Sequence, residues 1–161
     1  MPISARYVHT NLIAHDWRRL AWFYQHVFGC VPVPPERRLY GKEFDRATGV
    51  VNVRIEGAHL LLPGFEETGP TLEIFEYNPM AEKQIRQPIN QPGWGHIAFA
   101  VEDVPQAVHA VKVAGGQPYG EIVETTIAGA GKITFVYMKD PEGNLIELQH
   151  WAKETSGGTN G

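Results

Sequence analysis

Two histidines in this chain stand at the same place in a repeated pattern. "VHTNLIAHD", residues 8 to 16, and "GHIAFAVED", residues 95 to 103, each run from a histidine through alternating small and apolar residues to an aspartate seven positions later. Laying residues 7–29 over 94–116 without a gap sets His9 on His96, Leu12 on Phe99, Asp16 on Asp103, Ala21 on Val108 and Gly29 on Gly116. The ends of the halves agree as well, since "TLEIFEY" overlays "LIELQHW" with Glu73 on Glu147 and Tyr77 on Trp151. Two imidazoles and two carboxylates at matched positions form a mixed nitrogen and oxygen donor set. A divalent cation would offset both carboxylate charges, which are otherwise costly to bury, and would use the neutral nitrogens of both histidines. The donors suit one Zn²⁺, Ni²⁺, Co²⁺, Fe²⁺ or Mn²⁺ per site and do not select among them. Glu73 and Glu147 are also the candidate catalytic acid–base groups, with Glu147 favoured as the base.

Local patterning predicts the elements that must position these groups. A strand over 5–14 is followed by Asp16 as a helix cap, a helix over 17–27 and a stop at Gly29. Strands over 51–62, with Gly57 as a bulge or turn, and over 71–77 complete the first half. The order then begins again. A strand over 96–101, a helix over 104–114 capped by Asp103 and ended by Gly115 and Gly116, and strands over 132–138 and 144–151 are expected, the last two joined by a turn at Asp140-Pro141-Glu142-Gly143. Because successive side chains in a strand face opposite ways, His9 shares a face with Asn11, and His96 with Ala98. By the same parity Glu73 faces with Phe75 and Tyr77, and Glu147 with Gln149 and Trp151, while Glu76 points away.

These neighbours form the predicted substrate pocket, and Trp94 and Phe99 are further candidate aromatic walls. The first half is the longer, with 64 positions from His9 to Glu73 against 51 from His96 to Glu147, so its middle is expected to carry extra loop material around residues 34–50. A single histidine in a strand is more often packed or solvated than a ligand. His15, His26, His59, His109 and His150, which no repeat marks, therefore receive no role.

The totals bound the class without choosing a function. The 161 residues, 43% hydrophobic and 20% charged, suit one folded domain over 1–152, built from modules at 1–85 and 90–152, with a disordered tail at 153–161. A net charge of −4 without blocks of like charge offers no footprint for nucleic acid or an anionic membrane. No apolar run is long enough to span a bilayer and no signal-peptide layout opens the chain, so a soluble, cytoplasmic protein is expected. The single cysteine, Cys30, excludes an internal disulfide framework.

With "HTNLIAHD", "WRRLAWFYQHVFGC", "TLEIFEYN", "GHIAFAVED" and "DPEGNLIEL" in this order, the chain resembles the vicinal oxygen chelate superfamily, and within it the glyoxalase I (lactoylglutathione lyase) branch. The resemblance implies an α+β fold of two tandem βαβββ modules forming a U-shaped mixed β-sheet barrel with helices outside. It implies metal ligands at His9, Glu73, His96 and Glu147, a small-molecule substrate with neighbouring oxygens, such as the hemithioacetal of methylglyoxal and a thiol, and a homodimer. Glu73 distinguishes this branch from extradiol dioxygenases and fosfomycin-resistance proteins, which look to two histidines and one glutamate, and from methylmalonyl-CoA epimerases, which commonly place Gln there. The resemblance also adds Asn78, which matches a position near the family's glutathione site, to the substrate pocket, while the stretch "PERRLYGKEFDRATGVVNVRIEGAHLLLPG" departs from bacterial glyoxalase I. Arg37, Arg38 and Arg54 within it are candidates to grip the thiol's carboxylates, with a solvated surface role as the commoner alternative. An Fe²⁺ dioxygenase, a 2-substituted malonyl-CoA epimerase and a non-enzymatic bleomycin- or fosfomycin-resistance binder remain open.

Overall fold

The computed structural model describes residues 4–83 and 88–152. The tail expected to be disordered, 153–161, lies outside the described residues. The chain divides into two units, Met1–Gln87 and Pro88–Gly161. Each carries one mixed sheet, and with three helices among the described residues the fold class is α+β. No helix of the described residues is long and apolar enough to cross a membrane.

In the first unit β1 (His9–Ile13) leads into α1 (Trp17–Phe28). Asp16 accepts the Arg19 N–H at 3.0 Å to cap the helix. Gly29 ends it in the left-handed region at φ 70°, its N–H returning to the Gln25 carbonyl at 3.1 Å. Trp17, Leu20, Ala21, Phe23 and Tyr24 form a buried stripe at helical spacing. That stripe covers one face of the sheet, where Leu60, Leu72 and Ile74 are also buried. The other strands are β2 (Val31–Tyr40), β3 (Arg54–Leu61) and β4 (Thr71–Asn78), and the sheet order is β1-β4-β3-β2 with only β1 and β4 parallel.

The residues expected as extra loop around 34–50 are instead the edge strand β2 and a short helix, α2 (Lys42–Thr48). Prolines at 32, 34 and 35 read as loop in the sequence, yet an edge strand tolerates them because one side of it needs no ladder hydrogen bonds. The strand expected from residue 51 begins only at Arg54. Ahead of it, the Asn52 and Val53 N–H groups each donate at 2.9 Å to the Asp45 carboxylate on α2, not to a neighbouring strand. β1 is likewise shorter than expected, because its ladder with β4 begins at His9 opposite Thr71.

Gly57 is no turn, since it sits in regular register opposite Phe75 on β4, and the irregularity beside it belongs to β2, whose pairing shifts between Val33 opposite His59 and Arg37 opposite Gly57. A Cβ there would lie 2.0 Å from the Ile74 carbonyl oxygen and 2.5 Å from Phe75 Cδ1. The glycine permits close approach of two strands.

The second unit repeats the plan as β5 (Ile97–Ala100), α3 (Val104–Val113), β6 (Gln117–Pro118), β7 (Val123–Ile127), β8 (Gly131–Lys139) and β9 (Leu145–Trp151). Asp103 caps α3 by accepting the Gln106 N–H at 2.8 Å. The strand order is β5-β9-β8-β6, and β7 lies along β8 as well, so β6 and β7 together take the place that β2 holds in the first sheet. The buried Asp140 turns β8 into β9, accepting the Glu142 and Asn144 N–H groups at 2.9 Å each.

Gly57→Ala should cost about 1–3 kcal/mol through overpacking. Urea unfolding measures this, and an unchanged midpoint would show that the two strands do not need the close approach.

Candidate functional site

Strand register sets the site. In the first unit Asn11, Glu73 and His59 lie side by side across β1, β4 and β3. In the second unit Ala98, Glu147 and Tyr137 form the equivalent row across β5, β9 and β8. Both rows occupy the sheet face opposite α1 and α3, as Leu72, Ile74, Ile146 and Leu148, which flank the two glutamates in sequence, are fully buried. Glu76 points the other way, as expected, and its carboxylate accepts the Trp17 N–H at 3.4 Å at the start of α1.

Glu73 and Asp140 are the buried charged residues among those described. The turn hydrogen bonds account for Asp140. Glu73 is held differently. Its Oε1 accepts from Asn11 Nδ2 at 2.9 Å and stands 3.7 Å from His9 Nε2, while its Oε2 lies 2.6 Å from His59 Nε2. Potential ligand atoms of His9, His59 and Glu73 all fall within 4.8 Å of one another. His59 Nδ1 is 2.9 Å from the Thr71 hydroxyl, which can accept or donate and so suits either tautomer. Burial, together with the Arg37 guanidinium and His9, opposes a charge on His59 and holds its pKa below the ordinary histidine value despite Glu73 beside it. A neutral imidazole is the form that binds a metal. Two nitrogens around one buried carboxylate are therefore a donor set that fits a divalent transition-metal ion.

The second unit brings His96 Nε2 to 2.9 Å from Glu147 Oε2, with the Tyr137 ring centroid 5.2 Å from that of His96. Ala98 stands where Asn11 does in the first unit and offers Glu147 no donor. Gln149 accepts from Trp151 Nε1 at 2.6 Å on the same face.

The remaining sequence-predicted residues are placed as follows. Phe75 is buried with Val53 and Ile55, and Tyr77 packs on this cluster together with Leu39, Phe44 and Val50. The face of the first sheet beyond Glu73 is thus covered in part by α2, through Phe44. Asn78 ends β4 opposite Arg54, and both are exposed. Arg38 is exposed, whereas Arg37 is half-buried opposite Gly57 on the Glu73 face, bonded to the Pro35 carbonyl. Phe99 is no pocket wall. It alternates with Ala98, faces the helix side and is buried there. Trp94 is almost fully exposed.

His59 is the residue that sequence reasoning passed over, and Tyr137 is its counterpart. No repeat marks either one, because an imidazole in one half stands against a phenol in the other. A signal existed nonetheless, since a hairpin centred on Glu66, within "PGFEETGP", sets His59 opposite Glu73.

The sequence pattern of the Glyoxalase/Bleomycin resistance protein/Dioxygenase superfamily matches residues 6–148. The chain belongs to this superfamily. No curated protein matches this chain. Among solved structures it is similar to a glyoxalase family protein from Bacillus cereus, with 19% identity, a TM-score of 0.77, and coverage of 93% of this chain and 96% of that one. It is also similar to a glyoxalase I mutant from Zea mays, with 18% identity, a TM-score of 0.59, and coverage of 89% of this chain and 46% of that one. A fosfomycin resistance protein from Listeria monocytogenes, complexed with Mn(II) and sulfate, shows 18% identity, a TM-score of 0.51, and coverage of 95% and 97%. These likenesses confirm the superfamily fold.

Burial and then the adjacent carboxylates, Glu73 for Tyr77 and Glu147 for Tyr137, push both phenols above the ordinary tyrosine value. Both effects oppose phenolate, so the two rings should ionise after the exposed tyrosines as pH rises past about 10. Ultraviolet titration of Tyr77→Phe and Tyr137→Phe should remove late steps, and loss of an early step would contradict the assigned environments.

Proposed function

We propose that this chain is a metal-dependent lyase or isomerase of glyoxalase type, acting on a small substrate with neighbouring oxygens. The observation that carries the reading is the placement of a glutamate on an interior strand of each sheet with an imidazole against it, at His9–Glu73 and His96–Glu147. In this reading His9, Glu73, His96 and Glu147 supply ligands to a divalent ion. The reading also includes a homodimer and a cytoplasmic location.

Bound there, the ion would polarise a substrate carbonyl and favour loss of a proton from the adjacent carbon. Glu147 is the group that takes this proton and returns it to the neighbouring carbon, serving as general base and then general acid. His96 Nε2 and Glu147 Oε2, 2.9 Å apart, stand close enough to be neighbouring ligands of one ion. Glu73, gripped by Asn11 and His59, is fixed in place and suits the ligand role better than a mobile base role. For a hemithioacetal the proton shift yields a thioester of a 2-hydroxy acid, whereas a 2-substituted malonyl thioester becomes its epimer when the proton returns to the same carbon on the opposite face. A second reading, ring cleavage by an Fe²⁺ dioxygenase, draws support from the composition of the first unit's cluster, two histidines and one carboxylate.

Protein purified without chelators should contain a divalent metal, and methylglyoxal with glutathione should be turned over after loading with Ni²⁺, Zn²⁺ or Co²⁺. Glu147→Gln should lower kcat by about 10²- to 10⁴-fold. Metal-bound protein inactive on both thioester classes would overturn the lyase and isomerase reading, and oxygen uptake with bound iron would favour the second one.

A further inference from the structure

We propose that His59 joins His9 and Glu73 in a three-ligand site that holds a divalent transition-metal cation within the first unit, independently of His96 and Glu147. The inference rests on the metal-dependent reading above and changes its ligand set. Three ligands from three strands already converge. Glu73 presents Oε1 toward His9 Nε2 at 3.7 Å and Oε2 toward His59 Nε2 at 2.6 Å, so the two imidazoles straddle one carboxylate. Ligands about 2.1 Å from a common ion are themselves about 3–3.5 Å apart. Two imidazole rings with centroids 5.4 Å apart, and ligand atoms all within 4.8 Å of one another, need only small side-chain rotations to reach that spacing.

The surroundings also suit ligation. The Thr71 hydroxyl at 2.9 Å can accept the Nδ1–H of His59 and thereby free the Nε2 lone pair. Asn11 donates to Oε1 at 2.9 Å and orients the carboxylate. The His59 and Glu73 side chains are 15% and 12% exposed but that of His9 is 39% exposed, which leaves an open side for water or substrate. Three protein ligands with an open position are the arrangement of a catalytic ion, not a structural one.

The second unit serves as an internal comparison. Its strand row places the Tyr137 phenol opposite Glu147 where the first unit has His59, leaving only the pair His96 and Glu147 as ligand candidates. The two halves are therefore unequal as ion sites, and the better endowed one is complete in itself.

The test is titration of full-length apoprotein with Co²⁺, read by visible d–d absorption and by bound cobalt after gel filtration. The proteins are wild type, His59→Gln, His59→Asn, Thr71→Val and the double variant His96→Ala with Glu147→Gln. Circular dichroism and unfolding midpoints of the apoproteins identify any that do not fold, and either His59 variant suffices. Loss of His59 should weaken binding tenfold or more and shift the absorption bands. Thr71→Val should weaken it by a smaller factor, and the double variant should keep one equivalent with the wild-type spectrum. Wild-type affinity in the His59 variants, or loss of the ion in the double variant, overturns the inference while a four-ligand site stands. Retention of the ion without turnover of any thioester overturns the activity and leaves the inference in place. A wild type that binds no Co²⁺ overturns both.

Discussion

A carboxylate buried on an interior strand has to be compensated, and Glu73 is that group here. An ionised carboxylate taken out of water loses several kcal/mol of hydration that only donors or a cation restore. Asn11 supplies one donor, and the two imidazoles stand at the carboxylate's two oxygens. Each of these groups is fixed by a ladder: Asn11 by the parallel pairing of β1 with β4, and His59 by the antiparallel pairing of β3 with β4. A one-residue slip of β4 would turn Glu73 to the α1 face, against Leu60 and the buried α1 stripe, and take it away from Asn11 and His59. Helix caps, the α1 stripe and the Gly57 contact all matter to the site because they hold that register.

Duplication explains the plan but not the detail. Both units run strand, helix and then a hairpin whose last strand lies parallel to the first, and both place a glutamate at the same point of that last strand. The two rows then diverge, Asn11 and His59 flanking Glu73 while Ala98 and Tyr137 flank Glu147. Glu147 therefore has a single imidazole partner and no amide donor from its neighbouring strand. It is correspondingly less constrained, which suits a group whose proposed task is to carry a proton.

The repeat, the helix caps and the facing of His9, Glu73, His96 and Glu147 were legible because each depends on residues close in sequence: a capping aspartate, a stop glycine, an alternating strand. Register across a hairpin is less local. Placing His59 against Glu73 required reading the turn centre at Glu66, and placing Tyr137 against Glu147 required the centre at Glu142, so both residues escaped notice. The segment from residue 34 to 53 differs from its expectation for another reason. Its prolines argued against a strand that the sheet edge accepts, and Phe44 on α2 packs toward Phe75, a contact no local pattern announces. Phe99 shows the opposite error, as its chemistry suggested a pocket wall although alternation with Ala98 already placed it on the buried side.

The central claim is that a buried glutamate and its flanking imidazoles exist to hold a divalent ion. X-ray absorption at the zinc edge of the loaded protein tests it most directly. The account predicts a shell of nitrogen and oxygen at about 2.0–2.2 Å with the multiple-scattering signature of at least two imidazoles and no sulfur. An all-oxygen shell without imidazole scattering would contradict it.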